Sequence, residues 1–378
     1  MPPAPQRFAL IAPNYYPLTC GVGDHTMRLA AELQRRGHEA VVFTHAPAAP
    51  NPEAPGVPVK GVAGQRSMSI AARVAKEILS QGFSQIIIQY TPQMWGAQRL
   101  GSPALPALAA LLRSRGARIT LVMHELAPPW NRRPDLALGA ALMRLQLHAM
   151  LRSSDALFVT TESRRRLAGI SRTDLPGVLR VGPNALPLQR PFVPGGHRVG
   201  LFSTLAVGKS FEVVVAAFEG ILQVYPDAEL LLIGDLGPRD GQRFLELEAR
   251  IAASPGARRI RLTGKLTLAE IAQAVASLDV YLFAMNTGAN TRSGTLPLAL
   301  GSGVPVVAIR GPETDPLFVD RQNVFFAESL SGPAFAEGAR QIFADPELAG
   351  RLSEGGRRLY RENLSWEKIV DTLLARLV

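Results

Sequence analysis

A lysine set between a glycine and a serine, where an apolar run gives way to a helical pattern, is the first position here with obvious chemistry. Residues 200–211 read GLFSTLAVGKSF, and the apolar run Val199–Phe202 leads into them. A phosphate-wrapping loop needs G-x4-G-K-[ST], its backbone N–H groups closing around the anion. The frame here is Ser203, four residues, then Gly208, Lys209 and Ser210, so a serine stands where the first glycine belongs. LLLIGD at 230–235 could serve as the metal-binding strand of an ATPase or kinase. Against that reading, the loop fails at an essential glycine and opens the second half of the chain. Outside such an enzyme Lys209 still suits phosphate: it follows a strand and opens a helix, where an ammonium and the helix N-terminus both stabilise an anion. The plain alternative is a surface lysine. The chain has only five lysines against 36 arginines.

The second such stretch is LTCGVGDHTMRLAA, residues 18–31. It follows an apolar run ending at Ala12 and leads into an amphipathic helix; its glycines let the backbone approach a ligand closely. Gly21 and Gly23 begin a dinucleotide-type G-x-G-x-x-G, but residue 26 is a threonine, so the pattern lacks its third glycine. A plain turn with Asp24 capping the helix is the alternative.

These segments need a frame. At 378 residues, with 47% hydrophobic residues, the chain is a globular protein of about two domains. Short apolar runs alternate with helical periods: Phe8–Ala12, Ala40–Thr44, Ile86–Gln89, Ile119–Met123 and Ala156–Val159, with helices predicted over 23–36, 104–115 and 136–152. LPLQRPFVPGGH at 186–197 breaks the rhythm and reads as a linker. The alternation then restarts at Arg198–Phe202 and runs through Val304–Ile309, and three helices near 333–343, 346–362 and 366–377 close the chain. Runs buried on both faces and alternating with helices predict parallel sheets, hence two doubly wound α/β domains with ligands at the carboxyl ends of their strands, in a cleft between the two. One cysteine, Cys20, rules out a disulfide framework and fits a reducing cytoplasm. No signal peptide or membrane-spanning run is expected.

The order of motifs along the chain resembles the family-4 glycosyltransferases of GT-B fold. CGVGDHTMRLAAELQRRGHEAVVFTH resembles their opening; QYTPQMWG at 89–96, LVMHELA at 121–127, GLFSTLAVGKSFEVVVAAF at 200–218, AELLLIGDLG, IRLTGKLTLAEIAQAVASLDVYLFA, LALGSGVPVVA and the closing LSWEKIVDTLL follow in family order. The resemblance implies a GT-B architecture: an acceptor-side domain over 1–187, a nucleotide-sugar domain over 188–363, and a helix over 364–378 returning to the first domain. It implies transfer of a sugar from a UDP- or GDP-type donor to an acceptor hydroxyl, as in bacterial glycolipid, polysaccharide or other glycoconjugate synthesis, with the donor's anomeric configuration retained. A carbohydrate or a lipid-linked compound would be the acceptor. Such transfer needs charge stabilisation on the departing diphosphate and alignment of the reactants. No Asp-x-Asp pair is present, which agrees with a site needing no metal or other cofactor.

By the resemblance Lys209 holds the diphosphate and His124 orients the donor sugar. The family's arginine a few residues before the lysine is replaced by Ser203 and Thr204, so Arg292 in NTRSGTLPLAL is the expected substitute. Ser293 would cap the helix that follows, with Gly294 and Thr295 offering amides. Gly21 and Val22 would approach the same diphosphate from the other domain. The family also carries two glutamates eight positions apart, over the sugar and the ribose; here these places fall near Asn290 and Leu298, and no acid occurs from Val280 to Pro312. Asn290 is the expected sugar contact and Glu313 the substitute for the ribose carboxylate. A GT-B protein that binds nucleotide or a partner without turnover is the alternative that the missing glutamates support.

Charge is unevenly placed. Residues 1–190 hold 22 Lys and Arg against 10 Asp and Glu, a net of +12; residues 191–378 hold 19 against 21, a net of −2. The partner of the basic half should be anionic. Arg144, His148 and Arg152 share a helix face beside Leu142, Leu145, Leu147 and Leu151, and Arg132 and Arg133 precede it. This predicts peripheral contact of residues 99–152 with an anionic membrane surface, at the inner face of the plasma membrane, with a solvated helix face as the alternative. Nucleic acid is not expected, because the basic residues are scattered and no reader motif appears.

Overall fold

The computed structural model describes residues 5–18, 20–44, 48–62, 68–95, 102–128, 130, 132–167, 175–189, 191, 193, 195–205, 208–237 and 241–377. The chain divides into two compact units: Met1–Thr160, Arg164–Arg180 and Ile369–Val378 form the first, and Thr161–Ser163 with Val181–Lys368 the second.

The first unit holds β1 (Arg7–Ala12), α1 (Gly21–Arg35), β2 (Glu39–Thr44), β3 (Val59–Gly61), α2 (Met68–Ser80), β4 (Gln85–Tyr90), α3 (Ala104–Ser114), β5 (Arg118–Met123), α4 (Pro134–Arg152), β6 (Ala156–Val159), α5 (Glu162–Leu167) and β7 (Gly177–Val178). Its seven strands lie in the order β3-β2-β1-β4-β5-β6-β7, all paired in parallel. Five of the six residues in each of β1, β2, β4 and β5 are buried, which is what continuous apolar runs covered on both faces produce. Residues 369–377 belong to this unit: Arg36, the C-cap of the first helix, pairs with Asp371 at 2.6 Å, and Arg376 donates to the Leu157 carbonyl.

The second unit holds β8 (Arg198–Phe202), α6 (Phe211–Leu222), β9 (Glu229–Ile233), α7 (Gln242–Ala252), β10 (Ile260–Leu262), α8 (Leu268–Ala276), β11 (Val280–Phe283), α9 (Thr295–Gly301), β12 (Val306–Ile309), β13 (Phe325–Ala327), α10 (Gly332–Ala344) and α11 (Pro346–Leu359). A π turn, Tyr360–Leu364, then precedes α12 (Trp366–Leu374). The six strands run β10-β9-β8-β11-β12-β13, again parallel. Local chemistry sets several helix starts. Thr267 and Glu270 form a reciprocal capping box at α8, Ser331 accepts from Ala334 N at α10, and Asp345 accepts from Leu348 N at α11. The Trp366 indole donates to the Pro183 carbonyl and holds residues just before the Pro/Gly-rich stretch.

In each sheet the strand order reverses once, between β1 and β4 and between β8 and β11. These are the points where open parallel sheets leave a crevice outside the strand ends. The short strands β3, β7 and β13 and the helices α2 and α5 go beyond the sequence expectation. Two- and three-residue strands carry no periodicity. α2 does carry one, since Ile70, Val74, Ala75 and Ile78 are all buried, and it was legible in the sequence. Among the described residues no helix is long and apolar enough to cross a membrane.

Candidate functional site

In the first unit the chain leaves β1 at Ala12 and turns into α1. A Cβ on Gly23 would stand 2.8 Å from the Asn14 carbonyl oxygen, so only a glycine lets the first turn of α1 lie on this loop. A Cβ on Gly21 meets nothing within 4 Å, so the backbone is open to a ligand there. The helix begins at Gly21 with Cys20 as N-cap, and no side chain caps it. Asp24 therefore sits in the first turn and is not the cap that the sequence allowed. Burial pushes its carboxyl up to about 6, opposed by Arg28. The next residue, His25, is fully buried; burial takes its imidazole down to about 4 and keeps it neutral near pH 7.

His124 follows β5, and the end of β4 holds it. Its Nε2 lies 2.7 Å from Oε1 of the buried Gln89, its amide donates to the Tyr90 carbonyl at 3.1 Å, and its carbonyl accepts from Arg164. His25 packs edge-on against its ring at 4.9 Å. Gly21, Val22 and His124 thus lie at the carboxyl ends of β1 and β5, on either side of β4. Gln89 was passed over in the sequence; its place at the end of an apolar run was the available signal.

In the second unit Lys209 lies in the loop between β8 and α6. Gly208 has φ +88, and its Cβ would meet Asn286 Oδ1 at 2.8 Å, so the residue before the lysine must be glycine. Lys209 makes an isolated bridge to Met285, the Asn286 amide donates to the Gly208 carbonyl, and the Ser210 amide donates to the Ala284 carbonyl. The lysine backbone is thereby fixed to the exit of β11. Beside it is a cavity of about 330 Å³, lined also by Phe211, Glu212, Arg243, Glu246 and Arg250. Lys209 forms no ion pair among the described residues, and burial brings its ammonium down to about 8. A desolvated, unpaired cation is poised for an anionic ligand.

The loops after β11 and β12 meet backbone to backbone. A Cβ on Gly288 would fall 2.2 Å from Thr314 Oγ1 and 2.4 Å from the Gly311 amide. This contact brings Arg292 and Glu313 together as an ion pair at 3.0 Å. Arg292 is expected at the diphosphate and Glu313 at the ribose, and the structure pairs the two with each other. Asn290 was expected to reach a sugar hydroxyl. Its amide instead donates to Thr287 Oγ1 and the Gly288 carbonyl, and its Oδ1 accepts from the Arg292 amide. It shapes the loop that carries Arg292. Ser293 Oγ accepts from the Thr295 amide at 3.4 Å and pairs with the Thr295 hydroxyl at 2.9 Å, next to Gly294 at the start of α9. Leu298, where the resemblance implies the second glutamate, is fully buried.

On α4, Arg144 stacks over Trp130 at 4.3 Å, and Trp130 (65% exposed), Leu138 (58%), Leu142 (38%) and Leu145 (67%) face solvent. His148 and Arg152 are exposed with Arg132 and Arg133, whereas Leu147 is buried and Leu151 packs on the core. Residues 99–101 of the expected contact region lie outside the described residues.

Two parallel, doubly wound units, each with its polar side chains at a strand-order reversal, define the GT-B class of fold. Sequence comparison makes the assignment specific: residues 20–175 match the model of the glycosyl transferase 4-like domain, and residues 196–345 match that of the glycosyl transferases group 1. The chain belongs to this glycosyltransferase family. It is 26% identical over 322 residues to the phosphatidyl-myo-inositol mannosyltransferase of Mycobacterium leprae, covering 80% of this chain and 78% of that one. It is also 26% identical over 326 residues to a GDP-mannose-dependent alpha-mannosyltransferase of Mycolicibacterium smegmatis, covering 80% and 79%. Among solved structures, HepE of Anabaena in complex with UDP superposes with a TM-score of 0.76 at 16% identity, over 98% of this chain and 99% of that one.

Proposed function

We propose that this glycosyltransferase moves a hexosyl group from a nucleoside diphosphate sugar to a hydroxyl of a lipid-linked or carbohydrate acceptor, with retention and without a metal ion. The observation that carries the reading is Lys209: a half-buried lysine at the switch point of the second sheet, with no ion pair among the described residues and its backbone fixed to the end of the strand whose following loop bears Arg292. As the bond from the sugar's anomeric carbon to the diphosphate oxygen breaks, negative charge collects on that oxygen, and a preorganised cation stabilises it. Arg292 and the Ser293 and Gly294 amides are the further donors within the second unit. His124, held by Gln89, orients the sugar. The segment Val280–Pro312, from β11 through β12, contains no carboxylate to act as nucleophile. In this proposal the acceptor oxygen bonds to the anomeric carbon on the face the diphosphate leaves, and its proton passes to the departing phosphate oxygen.

The names of the mannosyltransferase relatives favour a glycolipid product, and the exposed Trp130–Leu145 face with its arginines favours a peripheral position on an anionic membrane. The missing family glutamates favour one rival, a nucleotide-binding protein without turnover. The discriminating experiment supplies GDP-mannose and UDP-glucose with a phosphoinositide or glycan acceptor in the presence of EDTA, and reads the anomeric coupling of the product by NMR. A product with the donor's configuration supports the proposal. No product, or one formed only with added metal, contradicts it.

A further inference from the structure

We propose that Tyr281 is a positioning residue of the donor site, its phenol coupling the lysine loop to the segment that carries Arg292. The inference rests on the reading of Lys209 as a diphosphate-binding group. β8 and β11 pair only at Val199 with Val280 and at Gly200 with Tyr281, so the ladder stops before the end of β8. Beyond it, at Phe202, the Tyr281 hydroxyl takes the place of a strand: Oη donates to the Phe202 carbonyl at 2.9 Å and accepts from the Phe202 amide at 3.2 Å. The phenol is fully buried, and burial pushes its ionisation upward, so it stays a neutral donor and acceptor. The Thr295 side chain also bonds to it, and the Thr295 hydroxyl in turn lies 2.9 Å from that of Ser293, next to Arg292.

β11 and the two residues after it therefore hold the end of β8, through the Tyr281 phenol at Phe202, and Lys209 and Ser210, through the Met285 and Ala284 backbone. The same phenol touches the first residue of α9. One hydroxyl thus fixes where the Lys209 loop starts and where the Arg292–Thr295 segment ends. A diphosphate that needs both would sense its loss, whereas the nucleoside portion would not.

The test is calorimetric titration of Tyr281→Phe with UDP and GDP and with uridine and guanosine. Removing the hydroxyl leaves the Phe202 amide and carbonyl without a partner on that side, and the proposal expects diphosphate affinity to fall about tenfold while nucleoside affinity stays within about twofold. Amide exchange at 202–205 and 208–210 should quicken. A lower melting temperature with unchanged diphosphate affinity would overturn the proposal and leave Tyr281 as packing alone. Lys209→Met, titrated in parallel, separates the two readings. If it too leaves diphosphate affinity unchanged, the donor-site assignment itself fails; if it alone weakens binding, only the role of Tyr281 fails. Should Tyr281→Phe not fold, Thr295→Ser and Thr295→Val carry the test: retention with serine and loss with valine support the coupling, and equal affinities overturn it.

Discussion

Lys209 is the residue at which pH should act on binding. Its folded value is about 8 against an ordinary 10.5, because burial disfavours the ammonium. Between those values the folded chain binds fewer protons than the unfolded one, so this lysine adds stability as pH rises, while the charge needed for an anion is lost. Nucleoside diphosphate affinity is therefore expected to fall as pH rises above about 8. Lys209→Arg, charged throughout, should not show that decline even if its affinity is lower. Asp24 and His25 act in opposite senses. Asp24, raised to about 6, binds more protons when folded, so stability falls as pH rises from its ordinary 3.8 to that value. His25, lowered to about 4, binds fewer, so stability rises from there to its ordinary 6.5. The two nearly cancel. Asp24→Asn should unmask the histidine, with a melting temperature gain over the parent that grows between pH 4.5 and 7 and corresponds to about 1–3 kcal/mol. A gain independent of pH would contradict the buried-carboxylate assignment. At this scale the sequence offers single candidate residues and not pairs. Lys209, His124 and Gly21 stood in recognisable local patterns. The Arg292–Glu313 pair and the Gln89–His124 contact join residues far apart in the chain, and no local pattern carries such contacts.

Elements position these residues by close approach, and glycines permit it. Gly288 has φ +82 and sits against both Gly311 and Thr314, so Gly288→Ala adds backbone strain to a collision between two loops. A loss of about 2–4 kcal/mol is expected from the two together, with weaker diphosphate binding. Gly264→Ala provides the comparison: φ is +69 but nothing lies within 4 Å, so only the strain, about 1–2 kcal/mol, should register in melting. Helix α4 is tested at its exposed face. Leu145→Glu should lower cosedimentation with phosphatidylglycerol vesicles about tenfold and leave UDP and GDP binding unchanged, since an inserted leucine contributes roughly 1.5–3 kcal/mol. Equal sedimentation would remove this face from the account. The alternation of strands and helices was legible because apolar runs and helical periods are local. The exposure of Leu138, Leu142 and Leu145 was not, because α4 has leucines around more than one face and only packing decides which are covered.

For the whole molecule, the GT-B architecture was legible from motif order, and the family match agrees with it. At the two places where the resemblance implies glutamates, Asn290 is hydrogen-bonded within its own loop and Leu298 lies in the core. In the proposed mechanism charge stabilisation at the diphosphate falls on Lys209, with Arg292 in support. The most direct measurement is the rate of sugar transfer from the nucleoside diphosphate donor by the wild-type protein and by Lys209→Met, with melting temperature and circular dichroism checked for each. The account predicts a folded variant whose kcat/KM is lower by about 100-fold or more, as for removal of a single preorganised donor at a developing anion. Transfer at the wild-type rate by folded Lys209→Met would contradict it.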